Sequence, residues 1–138
     1  MGYVPGAYDL FHVGHLAILR RARQECDRLV VGVVNDDVLE RTKGRRPVIP
    51  LDERMDIVAS LSIVDEVVED DCGSDKIPMW HRLRFDVLFK GDDWRGTAKG
   101  VELEASMAAV GARVHYFPYT RHTSSTLLRS VLTAGLRA

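Results

Sequence analysis

Apolar residues fall along this chain in short runs that switch between two periods. Residues 3–5, 28–36, 64–68, 85–89 and 114–117 are compact β-rich stretches. Near-continuous apolar runs of that length suit strands buried on both faces of a parallel sheet. Between them the apolar positions recur at helical spacing. Leu16, Ile18, Leu19 and Ala22 mark a first helix, residues 38–42 a short second one, and Leu51, Met55, Val58 and Leu61 one stripe of a helix over 51–64. Weaker helical patterns cover 77–83 and 101–110, the latter stopped by Gly111, and an amphipathic helix over 127–132 follows the N-cap residues Thr123, Ser124 and Ser125.

Repeated strand–helix alternation predicts one α/β domain over residues 1–138, a Rossmann-like doubly wound sheet of five mostly parallel strands with helices on both faces. Ligands of such sheets bind at the carboxyl ends of the strands, near the switch in strand order. The polar segments 6–15, 35–37, 90–94 and 120–126 all follow strands. They are therefore expected on one rim.

Composition narrows the class without identifying a function. The chain has 138 residues, 46% hydrophobic and 28% charged, with a formal net charge of −1. A near-neutral balance argues against a non-specific binder of nucleic acid or membrane surface. Cys26 and Cys72 fit no metal or redox spacing. No signal-peptide pattern and no apolar run near about 18 residues is evident, so a cytoplasmic protein with reduced thiols and no membrane insertion is expected.

The chemistry concentrates in Gly6-Ala7-Tyr8-Asp9-Leu10-Phe11-His12-Val13-Gly14-His15. This stretch turns from the first strand into the first helix, where free N–H groups and the helix dipole attract an anion. Gly6 and Gly14 keep side chains out of the way of a phosphate, and His12 and His15 add imidazole donors. Asp9, His12 and His15 are also spaced as metal ligands, but no further His/Cys cluster completes a tetrahedral site, so no protein-bound structural metal is expected. Lys43, Arg45 and Arg46 form a basic Gly/Pro-marked loop suited to closing over a substrate phosphate, and Arg54 lies near the start of a helix.

The ten-residue motif resembles the G-x-(F/Y)-D-x-x-H-x-G-H signature of the HxGH nucleotidyltransferases, the cytidylyltransferase-like superfamily. Gly91-Asp92-Asp93-Trp94 resembles the GDDW segment of bacterial glycerol-3-phosphate cytidylyltransferases, and Val64-Asp65-Glu66-Val67-Val68 their R-Y-V-D-E-V strand. Ser124, Ser125 and Thr126 resemble the R-T-x-G-I-S-T-T segment. The resemblance implies transfer of CMP from CTP to a small phosphorylated alcohol, glycerol 3-phosphate first, by in-line attack at the α-phosphate with release of pyrophosphate. It implies Mg²⁺ carried on the triphosphate, and a homodimer. An adenylyltransferase acting on a sugar phosphate or cofactor-precursor phosphate, and a non-catalytic nucleotide-binding module, are the alternatives.

By the same resemblance, His12, His15, Lys43 and Arg121 carry catalysis. Gly6, Ala7, Tyr8, Asp9, His12, Gly14, His15, Lys90, Asp92, Asp93, Tyr119, Thr120, Ser124, Ser125 and Thr126 bind the nucleotide. Asp9, Lys43, Arg45, Arg54 and Trp94 bind the acceptor. Two family arginines are replaced: Ser62 stands ahead of the VDE segment, and Tyr119 stands where the second is expected, with Arg121 two residues on and His122 in the place of a glycine.

Overall fold

The computed structural model describes residues 1–118 and 124–137. Five strands, β1 (Gly2–Gly6), β2 (Leu29–Val34), β3 (Glu66–Asp70), β4 (Val87–Gly91) and β5 (Arg113–Phe117), form one sheet in the order β3-β2-β1-β4-β5. Every pairing is parallel. The helices are α1 (Val13–Gln24), α2 (Asp36–Lys43), α3 (Leu51–Ala59), α4 (Ile77–Leu83), α5 (Ala98–Ala109) and α6 (Ser125–Arg137), with a 3-10 turn at Asp92–Trp94.

Strand side chains alternate between two cores. Val4, Val31, Val33 and Phe89 pack with Leu19 and Ala22 of α1 and Val58 of α3, whereas Tyr3, Val30 and Leu88 pack with Met79 of α4 and Leu103 and Met107 of α5. Period-two alternation thus builds both layers, and helices cover both faces. The chain builds outward from β1 through β2 to β3, then crosses back to place β4 on the other side of β1. That reversal makes the carboxyl ends of β1 and β4 the expected crevice.

Several element boundaries lie two or more residues from the sequence reading, β4, α5 and α6 among them, and the change between α3 and β3 has a local cause. α3 stops at Ala59, because the Ser60 hydroxyl donates to Asp56 O and tight turns through Leu61 and Val64 unwind the helix. Asp65 then accepts the Leu29 N–H at 2.7 Å, and strand pairing begins one residue later, at Glu66 opposite Val30. Among the described residues, no helix is long and apolar enough to cross a membrane.

Candidate functional site

The carboxyl ends of β1 and β4 open into a cavity of about 680 Å³. On one side stands the N-terminus of α1, where His12 is the N-cap. Its Nδ1 accepts the Gly14 N–H at 3.0 Å, and the His15 Nδ1 accepts the His12 N–H at 3.2 Å. This reciprocal arrangement is a capping box built from two imidazoles in place of Ser and Glu. Burial lowers the pKa of His12. Burial and the neighbouring His12 hold that of His15 down to about 3, against a weaker opposing effect of Asp9. Both rings are therefore neutral at pH 7. With each Nδ1 occupied as an acceptor, each proton sits on Nε2. The two rings lie 4.0 Å apart between centroids, and both line the cavity.

The turn that delivers these histidines is held from beneath. Tyr8 and Leu10 both have left-handed backbone, φ 54° and 51°. For non-glycine residues this costs about 1–3 kcal/mol each and persists only where the surroundings dictate it. Asp9 between them is only 1% exposed. Its carboxylate accepts Val48 N–H and Ile49 N–H, both at 2.9 Å, and the Arg129 guanidinium at 3.2 Å. Its carbonyl accepts the Ser125 hydroxyl at 2.6 Å. Asp9 thus clips the segment before α3 and the start of α6 onto the histidine turn.

Arg54 corrects the sequence reading. Rather than standing on the cavity wall to meet an acceptor, it is 0% exposed and behind the lining residues Ala7 and Val34, whose carbonyls it holds. Its guanidinium donates to Ile49 O, Ala7 O, Val34 O and the Asp36 carboxylate at 2.5–2.8 Å. It therefore ties the ends of β1 and β2 to the start of α3.

The opposite wall is cationic. At the end of β4, the Lys90 ammonium lies 3.9 Å from the Trp94 ring centroid, and Trp94 and Asp93 also line the cavity. Burial lowers the Lys90 pKa to about 8; Asp93 opposes this, while Lys43, Lys76 and Lys99 add repulsion. Lys43 and Arg45, at and beyond the α2 C-terminus capped by left-handed Gly44, face the same space. Among the described residues, Lys43, Arg45, Lys90 and Lys99 line the cavity without a carboxylate partner, and Asp9 and Asp93 are the acids on its wall. The lining is thus strongly positive in a chain whose net charge is −1. A focused field of this kind concentrates polyanions.

Gly6, Ala7, Tyr8, Gly14, Ser124, Ser125 and Thr126 lie on the cavity with the histidines. The Ser124 hydroxyl caps Leu127 N–H at 3.0 Å, and that of Ser125 is engaged by Asp9. The start of α6 therefore offers backbone N–H groups, a second helix N-terminus aimed at an anion. Asp92, half-buried in the 3-10 turn, does not line the cavity. Tyr119, Thr120 and Arg121 lie outside the described residues. Sequence reasoning missed Arg129, Lys76, Lys99 and Arg21 on the wall. For Arg129 a signal exists, since it stands four residues after Ser125 on one helix face.

The family described as Cytidylyltransferase-like matches residues 3–131. FAD synthase of Thermococcus sibiricus is 35% identical over 116 residues, 83% of this chain and 77% of that protein. Bifunctional protein HldE of Gluconacetobacter diazotrophicus is 41% identical over 97 residues, 69% of this chain but 20% of HldE, so the likeness spans about a fifth of that protein. The crystal structure of the lipopolysaccharide core biosynthesis protein from Thermoplasma volcanium superposes with a TM-score of 0.73 at 22% identity, covering 88% of this chain and 97% of that one. That last likeness bears on the fold.

Proposed function

The chain belongs to the cytidylyltransferase-like family of nucleotidyltransferases, and from that premise we propose that it transfers the nucleotidyl group of ATP to a small phosphorylated acceptor. The observation that carries this reading is the pair of neutral Nε2–H imidazoles on a helix N-terminus, on a cavity whose Lys43, Lys90 and Lys99 have no carboxylate partner among the described residues. An acceptor phosphate oxygen forms a bond to the α-phosphorus as the bond from that phosphorus to the β-phosphate bridging oxygen breaks, and pyrophosphate leaves. The attacking phosphate is already ionised, so alignment and charge stabilisation suffice. His12 and His15 donate to the phosphates as charge moves onto the leaving group. The α6 N-terminus orients the chain of phosphates, and Lys43, Arg45 and Lys90 align the acceptor against it.

Asp9 has both carboxylate oxygens engaged by the protein, which leaves Asp93 as the other wall carboxylate among the described residues. That donor set suits a magnesium ion arriving on the triphosphate with its own waters rather than one held in a protein cage. When bound, it neutralises phosphate charge.

ATP is favoured over CTP by the FAD synthase relative, because FAD carries an adenylyl group joined to FMN through a pyrophosphate. A second reading, CMP transfer to glycerol 3-phosphate, is favoured by Asp93 and Trp94 standing on the wall within a Gly-Asp-Asp-Trp segment. The test is pyrophosphate release by the purified chain with Mg²⁺ and ATP or CTP, each crossed with FMN, glycerol 3-phosphate, choline phosphate, ethanolamine phosphate and sugar phosphates. ATP-dependent release with one acceptor is expected. Release with CTP alone replaces the first reading by the second, and nucleotide binding without release from any pair contradicts both.

A further inference from the structure

A buried polar cluster sits apart from the histidine turn. Tyr3 of β1 projects across β2 at Gly32, where a Cβ would fall 1.8 Å from the tyrosine oxygen, so only glycine leaves the path open. Beyond it the Tyr3 hydroxyl donates at 2.5 Å to the carboxylate of Asp70, the last residue of β3, which is 0% exposed. The same carboxylate accepts the Cys72 N–H at 2.9 Å and the buried Lys76 ammonium at 3.0 Å, and that ammonium also donates to Cys72 O at 3.2 Å. Burial, then Asp70, raises the Tyr3 pKa well above its usual value, so the hydroxyl stays protonated and donating.

Both ends of the segment from Asp70 to Lys76 are thus tied to one carboxylate. Between the ties, Cys72, Gly73 and Ser74 face the cavity. A Cβ on Gly73 would meet the Thr42 side chain at 3.6 Å, which places this segment against the end of α2, beside Lys43. It lies across β2 from the turn after β1 that carries His12 and His15. A well-packed apolar set would stabilise the fold as well as a buried ionic one. What a fully satisfied polar cluster adds is a single geometry.

We propose that Tyr3, Asp70 and Lys76 are positioning residues that fix segment 72–74 as the acceptor-side wall of the cavity, setting acceptor affinity without acting on the nucleotide. Ser74, whose hydroxyl has no side-chain bond among the described residues, is the group this wall presents to the acceptor's own hydroxyls. The proposal rests on the nucleotidyl-transfer reading for its substrate, though not for its geometry.

The experiment uses the full chain as wild type, Tyr3→Phe and Lys76→Gln. Steady-state KM values are measured for both substrates of whichever pair the wild type turns over. In parallel, the rate at which a small maleimide labels Cys72 is followed, with Cys26 as internal reference. The acceptor KM is expected to rise roughly tenfold in each variant, the scale of one hydrogen bond to a charged group. The nucleotide KM and kcat stay at wild-type values, and Cys72 labels faster while Cys26 does not. A nucleotide KM that rises equally, or an unchanged acceptor KM, overturns the proposal. If the wild type turns over no pair, the nucleotidyl-transfer reading fails, and labelling decides the positioning role alone: faster Cys72 labelling supports it and a wild-type rate overturns it. Should Tyr3→Phe not fold, Lys76→Gln decides in the same way.

Discussion

Two cations are withdrawn from water near the same cavity, one beneath the turn after β1 and one at the end of β4. The Arg54 guanidinium meets three carbonyls and a carboxylate. The Lys90 ammonium meets the face of Trp94. A buried cation whose partners all come from the protein is part of the scaffold. One whose desolvation is only partly offset is held ready for an anion that the protein does not supply. Residue type did not separate them. The supply of acceptors did.

The sharpest way to break this contrast is to remove Arg54. Arg54→Met leaves Asp36 and three inward carbonyls without their donor, and a loss of about 3–5 kcal/mol in denaturant unfolding is expected. A loss near zero would mean that Arg54 is not the scaffold element described. His15→Ala tests the catalytic side: kcat is expected to fall about 10²–10³-fold, as for removal of one preorganised donor, with the fold retained. The same variant carries a pH signature. His15 is neutral in the fold, with its pKa lowered to about 3, and titrates near 6.5 when unfolded. Its contribution to stability is complete above about pH 6.5 and is lost as the pH falls toward 3. Unfolding at pH 7 and near pH 5 should therefore differ less in His15→Ala than in the wild type.

Lys90 sharpens the other half of the contrast. Its ammonium is charged below a pKa of about 8, so affinity for inorganic phosphate or ATP should weaken as the pH rises through that value. Lys90→Arg keeps its charge and should abolish that dependence, read by calorimetric titration at pH 7 and about pH 9. An identical pH profile in both proteins would place Lys90 outside the anion site. Arg46 is the smallest test. It is exposed and already shared among Asp36, Asp37 and Glu40 of α2. Exposed pairs of this kind contribute little, so Arg46→Ala should leave both unfolding and KM unchanged, whereas Lys43→Ala should raise KM.

Much of this architecture was legible because it follows from periodicity. Short β-rich runs alternating with helical stripes predict parallel strands and two helical layers, and residues 6–15 could be placed as the turn from the first strand into the first helix, which lies on the cavity wall. Neither the inward course of Arg54 nor the Lys76–Asp70–Tyr3 cluster could be read the same way. Each depends on contacts between residues far apart in the chain, such as Arg54 with Ala7 and Tyr3 with Asp70. Local pattern carries no such information. The double role of Asp9 was hidden for the same reason: the motif marks it as a site residue, but its partners are Val48, Ile49 and Arg129. Its contribution is to hold the histidine turn in a left-handed conformation.

The most direct test of the cradle is the ¹⁵N NMR spectrum of the imidazoles in the full chain at pH 7, with and without ATP. Both His12 and His15 are expected as neutral rings carrying the proton on Nε2, with those Nε2 signals shifting when ATP is added. A proton on Nδ1, a charged ring, or Nε2 signals that ATP leaves unmoved would contradict the assignment of the two histidines as phosphate donors.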